Sequence, residues 1–196
     1  MSEEQKGQPR RADAQRNREA ILDAALACLA TNARSSMTEI AAAAGLGRVT
    51  LYGHFSSRKE LLEAAATRTM ARVEARLTSL KLDGDPTAAL DLLVRSSWRI
   101  LADLQGLIAA AEEELGTAHV RDHHDVTMLR VQRLIERGQG TGVFRTDVSP
   151  TWLTSCYFTL LHGSAAEIRA GRITDAEVAH SLPLTITSLM AARAPE

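Results

Sequence analysis

From residue 16 onward the apolar positions return at intervals of three and four, and no stretch alternates apolar with polar at every second residue. That pattern predicts an all-α chain. Nine helices are expected, over 16–31, 37–43, 47–53, 57–81, 86–104, 107–115, 118–137, 150–170 and 175–192. Glycine-rich or polar breaks separate them at 32–35, 45–47, 53–57, 83–84, 116, 138–142 and 171. Five of the starts are marked by local chemistry. Ser36-Met37-Thr38-Glu39, Ser57-Arg58-Lys59-Glu60 and Thr174-Asp175-Ala176-Glu177 have the form of capping boxes, and Asp85-Pro86 and Ser149-Pro150 set a capping side chain before a proline at the first helical position. Residues 1–15, polar and carrying Pro9-Arg10-Arg11, read as a flexible tail.

The first three helices make sense only as a packed unit. Ile21, Leu22, Ala25, Cys28 and Leu29 form one face of the first. Ile40, Ala41 and Ala44 of the second face it, and Leu51 and Phe55 of the third stand at i, i+4. Ala41 and Ala44 permit close approach, and Gly45 supplies the sharp bend of a helix-turn-helix. With Leu51 and Phe55 inward, Arg48, Val49, Tyr52 and Gly53 are left outside. Such a face suits a DNA groove. Arg48 offers two donors to guanine and Val49 a methyl contact to thymine, while Thr50, Tyr52, His54 and Arg58 offer donors to phosphate oxygens.

Composition adjusts this picture in two ways. The chain of 196 residues has a net charge of −1, which by itself discourages a nucleic-acid partner, yet residues 1–60 hold nine Lys/Arg against seven Asp/Glu, and residues 44–59 carry Arg48, Arg58 and Lys59 with no acid. The N-terminus lacks the apolar run of a signal peptide, and the longest uncharged run, 148–166, holds too many Thr and Ser residues to span a bilayer. A cytoplasmic protein with no membrane partner is expected. The two cysteines, Cys28 and Cys156, form no metal or disulfide cluster.

At Ser36-x3-Ile40-Ala41-x2-Ala44-Gly45-Leu46-x3-Thr50-Leu51-Tyr52-x-His54-Phe55-x-Ser57-Arg58-x-Glu60-Leu61-Leu62, preceded by Arg18-x2-Ile21-Leu22-Asp23-Ala24-Ala25, the chain resembles the TetR-type transcriptional regulators. The resemblance implies a helix-turn-helix domain over 16–56 and a helical regulatory and dimerisation domain over 57–196. It further implies a homodimer on a palindromic operator in double-stranded DNA, a small-molecule effector, and repression as the mode of action. DNA contacts are implied at Ser36, Arg48, Thr50, Tyr52, His54 and Arg58. Gly47 stands where the family commonly has a capping Ser, Val49 where Gly, Ala or Pro is usual, and Arg58 where Lys is commoner.

Charge thins out towards the C-terminus, with five charged residues in 148–192. Two long helices so poor in charge cannot both expose an outer face. The 150–170 helix has two apolar sides, and its Trp152, Cys156, Thr159, Gly163 and Ala166 are assigned, with Leu182, Ile186 and Leu189 of the last helix, to a two-fold interface. The effector is expected to be largely apolar, bound among Met70, Leu77, Trp98, Leu101, His124, Met128, Phe158 and His162, with Val73, Leu93, Leu107 and Val131 as further wall positions. The 57–81 helix, which begins beside the DNA-binding unit, is the expected lever between ligand and DNA.

One alternative class remains. His119 and His123, at i, i+4 near Glu112-Glu113-Glu114, have a spacing that holds metals in helical enzymes or sensors. No third ligand shares their face, so no metal and no cofactor are assigned. No nucleophile constellation or phosphate loop supports catalysis, so the chain is not expected to be an enzyme.

Overall fold

The start signals act as expected in the computed structural model, which describes residues 4–116 and 125–192. Eight helices are present among them: α1 (Glu4–Thr31), α2 (Met37–Ala43), α3 (Arg48–His54), α4 (Arg58–Thr78), α5 (Pro86–Leu115), α6 (Asp125–Gly140), α7 (Pro150–Arg169) and α8 (Asp175–Met190). Ser36 closes a full capping box with Glu39, Ser149 accepts from the Trp152 amide at 3.2 Å, and Thr174 accepts from that of Glu177 at 3.2 Å. Asp85 caps α5 by accepting from the Ala88 amide at 2.8 Å. Ahead of α4 the reciprocal bond is shifted by one residue. Ser57 takes the Glu60 amide at 3.1 Å, but the Glu60 carboxylate reaches back to the amide and hydroxyl of Ser56, each at 2.7 Å.

Two helix bounds differ from expectation. The first helix starts at Glu4 and not at 16; Gln, Lys, Arg and Ala over 4–16 are all good helix formers, and one proline near the start does not outweigh them. The predicted break after residue 104 does not occur, because Gly106 is there for a close approach and not for a turn. A Cβ on Gly106 would lie 1.9 Å from the carbonyl oxygen of Leu29 in α1. The expected helices over 86–104 and 107–115 are therefore one continuous α5.

Chain contacts divide the molecule into two units. The first takes the chain up to Met70 together with the end of α5 from Leu104, and the second takes Ala71–Asp103 and the chain from α6 onward. A cut at residue 56 would miss why: Leu61, Leu62 and Ala65 of α4 and Leu107 and Ala110 of α5 are buried in the same cluster as Ile21, Leu22, Ala25, Leu29, Ile40, Leu51 and Phe55. Leu107, expected to line a ligand cavity, belongs to this core.

In the second unit, Leu77 of α4 and Leu90, Leu93, Val94, Trp98 and Leu101 of α5 are buried, as are Val131, Leu134 and Ile135 of α6 and Leu153, Tyr157, Leu161 and Ala165 of α7. Tyr157 is enclosed and donates its hydroxyl hydrogen bond to Ser97 Oγ at 2.9 Å; burial pushes its phenol well above the ordinary tyrosine range. Arg130 of α6 clasps the Glu74 carboxylate of α4 and reaches Thr78 at 2.8 Å. Those bonds hold the Glu74 carboxyl below the usual carboxylate range.

On α8 the buried stripe is Val178, Leu182, Ile186 and Met190, spaced at i, i+4. Leu182 and Ile186 therefore serve the subunit's own core and not a partner, which corrects their expected place. The opposite side of α8 presents Leu184, 58% exposed. No described helix is long and apolar enough to cross a membrane.

Candidate nucleic-acid interface

Each element of the helix-turn-helix is fixed by a short-range device before any long-range packing is invoked. At its start, Ser36 Oγ accepts from the Glu39 amide at 3.2 Å, and the Ser36 amide donates to Glu39 Oε2 at 2.6 Å. The amide and hydroxyl of Ser36 hold the Glu39 carboxyl below the usual carboxylate range. At the end of α2 the Gly45 amide donates to Ala42 O at 3.0 Å and the Leu46 amide to Ala41 O at 2.9 Å, the paired bonds of a Schellman turn. Gly45 sits at φ +67°, where a side chain would be strained, and the chain swings directly into α3.

Rotation of α3 is then set by burial. Leu51 and Phe55 are fully buried, so the turns between them have no freedom to roll. The guanidinium of Arg18 on α1 covers the Phe55 ring from 4.9 Å. The face left outside carries Arg48, Val49 and Thr50, all exposed, with Val49 at 88% and Tyr52 at 43%. An isolated valine so exposed at the start of a helix gains nothing from water, but a thymine methyl is a fitting partner. The Arg48 guanidinium carbon lies over the Tyr52 ring, 5.9 Å from its centroid. His54, at the last turn, is half-buried.

Two of the expected contact residues have structural work of their own. Ser36 spends its hydroxyl on the cap, although the residue remains exposed. Arg58 is half-buried and donates to the carbonyl oxygens of Ala33, at 2.7 Å, and Ser35. Ser35 in turn donates its hydroxyl hydrogen bond to Asn32 O at 2.8 Å, which closes the α1–α2 connection. A second arginine, Arg68, ties α4 to α1 through Glu19 at 2.7 Å and Asp23 at 2.8 Å. Sequence spacing gave no signal for Arg18, Arg68 or Gly106, because their partners are 37 to 77 positions away.

The other expected residues are placed as follows. Leu77, Trp98 and Leu101 are buried in the second unit; Met128, Phe158 and His162 are half-buried there, and Met70 is half-buried in the first. Phe158 and His162, one turn apart on α7, hold their rings nearly parallel with centroids 6.4 Å apart. Trp152, 60% exposed, Thr159 and Gly163 lie on the outside of α7, while Cys156, Ala166 and, on α8, Leu189 are half-buried. His119, His123 and His124 lie outside the described residues. No group of three or more metal-ligating side chains occurs among the described residues.

Residues 21–65 match the model of a family described as bacterial regulatory proteins, tetR family. The chain is 24% identical over 166 residues to the HTH-type transcriptional regulator NfxB of Pseudomonas aeruginosa, across 84% of this chain and 89% of that one. It is 26% identical over 162 residues to the HTH-type transcriptional repressor LfrR of Mycolicibacterium smegmatis, across 80% and 82%. Among solved structures, a TetR-family regulator from Agrobacterium tumefaciens superposes with a TM-score of 0.76 at 18% identity, covering 91% of this chain and 100% of that one. LfrR from Mycobacterium smegmatis in complex with proflavine does so with a TM-score of 0.67 at 23% identity, covering 90% and 97%. At these identities the structural likeness establishes the fold.

Proposed function

Starting from a helix-turn-helix of the tetR type at residues 21–65, we propose that this chain is a DNA-binding transcriptional regulator and not an enzyme, acting as a homodimeric repressor. The observation that carries the reading is the outward face of α3, where Arg48, Val49 and Tyr52 stand in solvent on a helix whose roll is locked by Leu51 and Phe55. Arg48 reads guanine through two donors and Val49 a thymine methyl. Thr50, Tyr52, His54 and Ser36 serve the phosphates, and Arg58 holds the entry to α2 while offering its remaining charge to the backbone.

A two-turn reading helix grips only a few base pairs, so a second copy is needed for useful selectivity. Two such helices must meet major grooves about 34–36 Å apart, or a multiple of that. The exposed side of α7, with Trp152, Thr159 and Gly163 flanked by Cys156 and Ala166, supports the two-fold contact, and a Cβ on Gly163 would meet nothing within 4 Å. Leu184 and Leu189 extend that surface on α8 in place of Leu182 and Ile186.

The effector is a small, largely apolar molecule that lowers DNA affinity. Half-buried Met128, Phe158 and His162 are its proposed contacts, backed by Leu77, Trp98 and Leu101, with His124 as a further proposed contact. The proflavine complex of LfrR supports a flat aromatic occupant. Release then follows if the ligand favours a dimer whose reading helices no longer match groove spacing.

The test is to select fragments from the source genome on the purified chain and map what is retained. The proposal expects a two-fold symmetric sequence bound by two copies, with affinity falling steeply as salt rises. Retention without sequence preference, or binding by a lone subunit, overturns it.

A further inference from the structure

Resting on that reading of α3, we propose that Tyr52 is a positioning residue for base recognition: its ring is the platform that holds the Arg48 guanidinium edge-on to the groove. The two residues stand at i, i+4 on a helix of seven residues, with the guanidinium carbon 5.9 Å from the ring centroid. Among the described residues no other side chain is paired with Arg48. Its neighbour Gly47 caps the helix without a side chain, and a Cβ there or at Gly53 would meet nothing within 4 Å. No ion pair holds it among the described residues.

Geometry makes the stack compatible with reading a base. A guanidinium stacks through its flat face, whereas the N–H donors that pair with guanine O6 and N7 lie in its plane and point outward from its edge. Stacked and hydrogen-bonded states therefore do not compete for the same atoms. An unrestrained arginine has several rotatable bonds to freeze on binding, and the ring lets fewer of them remain free beforehand. The Tyr52 hydroxyl lies at the far edge of the ring, so a phosphate contact through it and the platform role of the ring separate chemically.

That separation defines the experiment. Wild type, Tyr52→Phe, Tyr52→Trp, Tyr52→Leu, Arg48→Ala and the Tyr52→Leu/Arg48→Ala double variant are titrated against the duplex selected by wild type. Each is also titrated against duplexes in which each guanine of the half-site is replaced in turn. Thermal melts of every variant check folding, which Tyr52 as a surface residue should leave intact. Phe keeps the ring and loses the hydroxyl, so its affinity falls similarly for all duplexes and guanine discrimination stays within twofold of wild type. Trp retains or raises discrimination. Leu lowers discrimination by about two- to fivefold, the range of an exposed cation–π contact. Adding Arg48→Ala to it removes no more than Arg48→Ala alone. Equal discrimination in the Leu and wild-type proteins, or additive losses in the double variant, overturns the platform role while leaving DNA binding intact. Failure of wild type to select any duplex overturns the underlying reading instead.

Discussion

Both units of the chain brace their helices with arginines, and they differ in what else they do with polar groups. In the first, arginines close the frame from outside: Arg58 on the carbonyls of Ala33 and Ser35, Arg68 on Glu19 and Asp23, and Arg18 on the Phe55 ring. That leaves one outward face, Arg48–Val49–Tyr52, free for a partner. In the second, Arg137 holds the carbonyls of Leu82, Asp83 and Gly84 and Arg130 the Glu74 carboxylate in the same manner, and an enclosed Tyr157–Ser97 pair is added inside. A surface that must hold one shape against a rigid duplex benefits from external braces, whereas an enclosed hydroxyl pair fixes how the interior of the second unit packs.

The contrast is broken most severely at Gly106. Replacing it with Ala puts a methyl into the Leu29 carbonyl, and because both sides are backbone neither can yield. The expected loss is about 3 kcal/mol, seen as a fall in melting temperature, since overpacking a tight helix contact costs 1–3 kcal/mol or more. Gly163→Ala sharpens the point. There a Cβ meets nothing in the subunit, so the fold keeps or gains stability by up to about 1 kcal/mol, while sedimentation should show a weaker dimer if α7 is the contact. At Arg58 the expected effect is smaller than at Gly106. Its Ala variant leaves two carbonyls short of a donor at a cost of about 1–2 kcal/mol by denaturant titration, and it weakens binding to all duplexes alike.

The smallest effect belongs to the second unit and depends on pH. Because Arg130 holds the folded Glu74 carboxyl below its unfolded value, its contribution is fully present above the ordinary carboxylate range. It is lost as pH falls through the lowered folded value. Glu74→Gln should therefore cost less than about 1 kcal/mol near pH 7 and flatten the acid limb of the stability profile below about pH 4.5, as followed by thermal melts.

How much could be read without coordinates depends on the range over which each residue acts. Caps at Ser36, Thr174 and Ser149 satisfy amides within three positions, so the helix starts were plain from local sequence. The outward face of α3 was legible for the same reason, since Leu51 and Phe55 lie one turn apart. The continuity of α5 through Gly106 was not legible, because only Leu29, far off in the chain, shows that this glycine serves a close approach. α8 misled because both of its sides are apolar. Pattern alone does not separate Leu182 and Ile186, which face inward, from Leu184, which does not.

The claim at the centre is that Arg48 reads a base from the exposed side of α3. Fluorescence anisotropy of wild type and Arg48→Ala on the selected duplex, and on one with the contacted guanine replaced, tests it directly. The account predicts that wild type distinguishes the two by about 1–3 kcal/mol and that the Ala variant does not. An Arg48→Ala protein that still favours the original duplex by the same margin would contradict it.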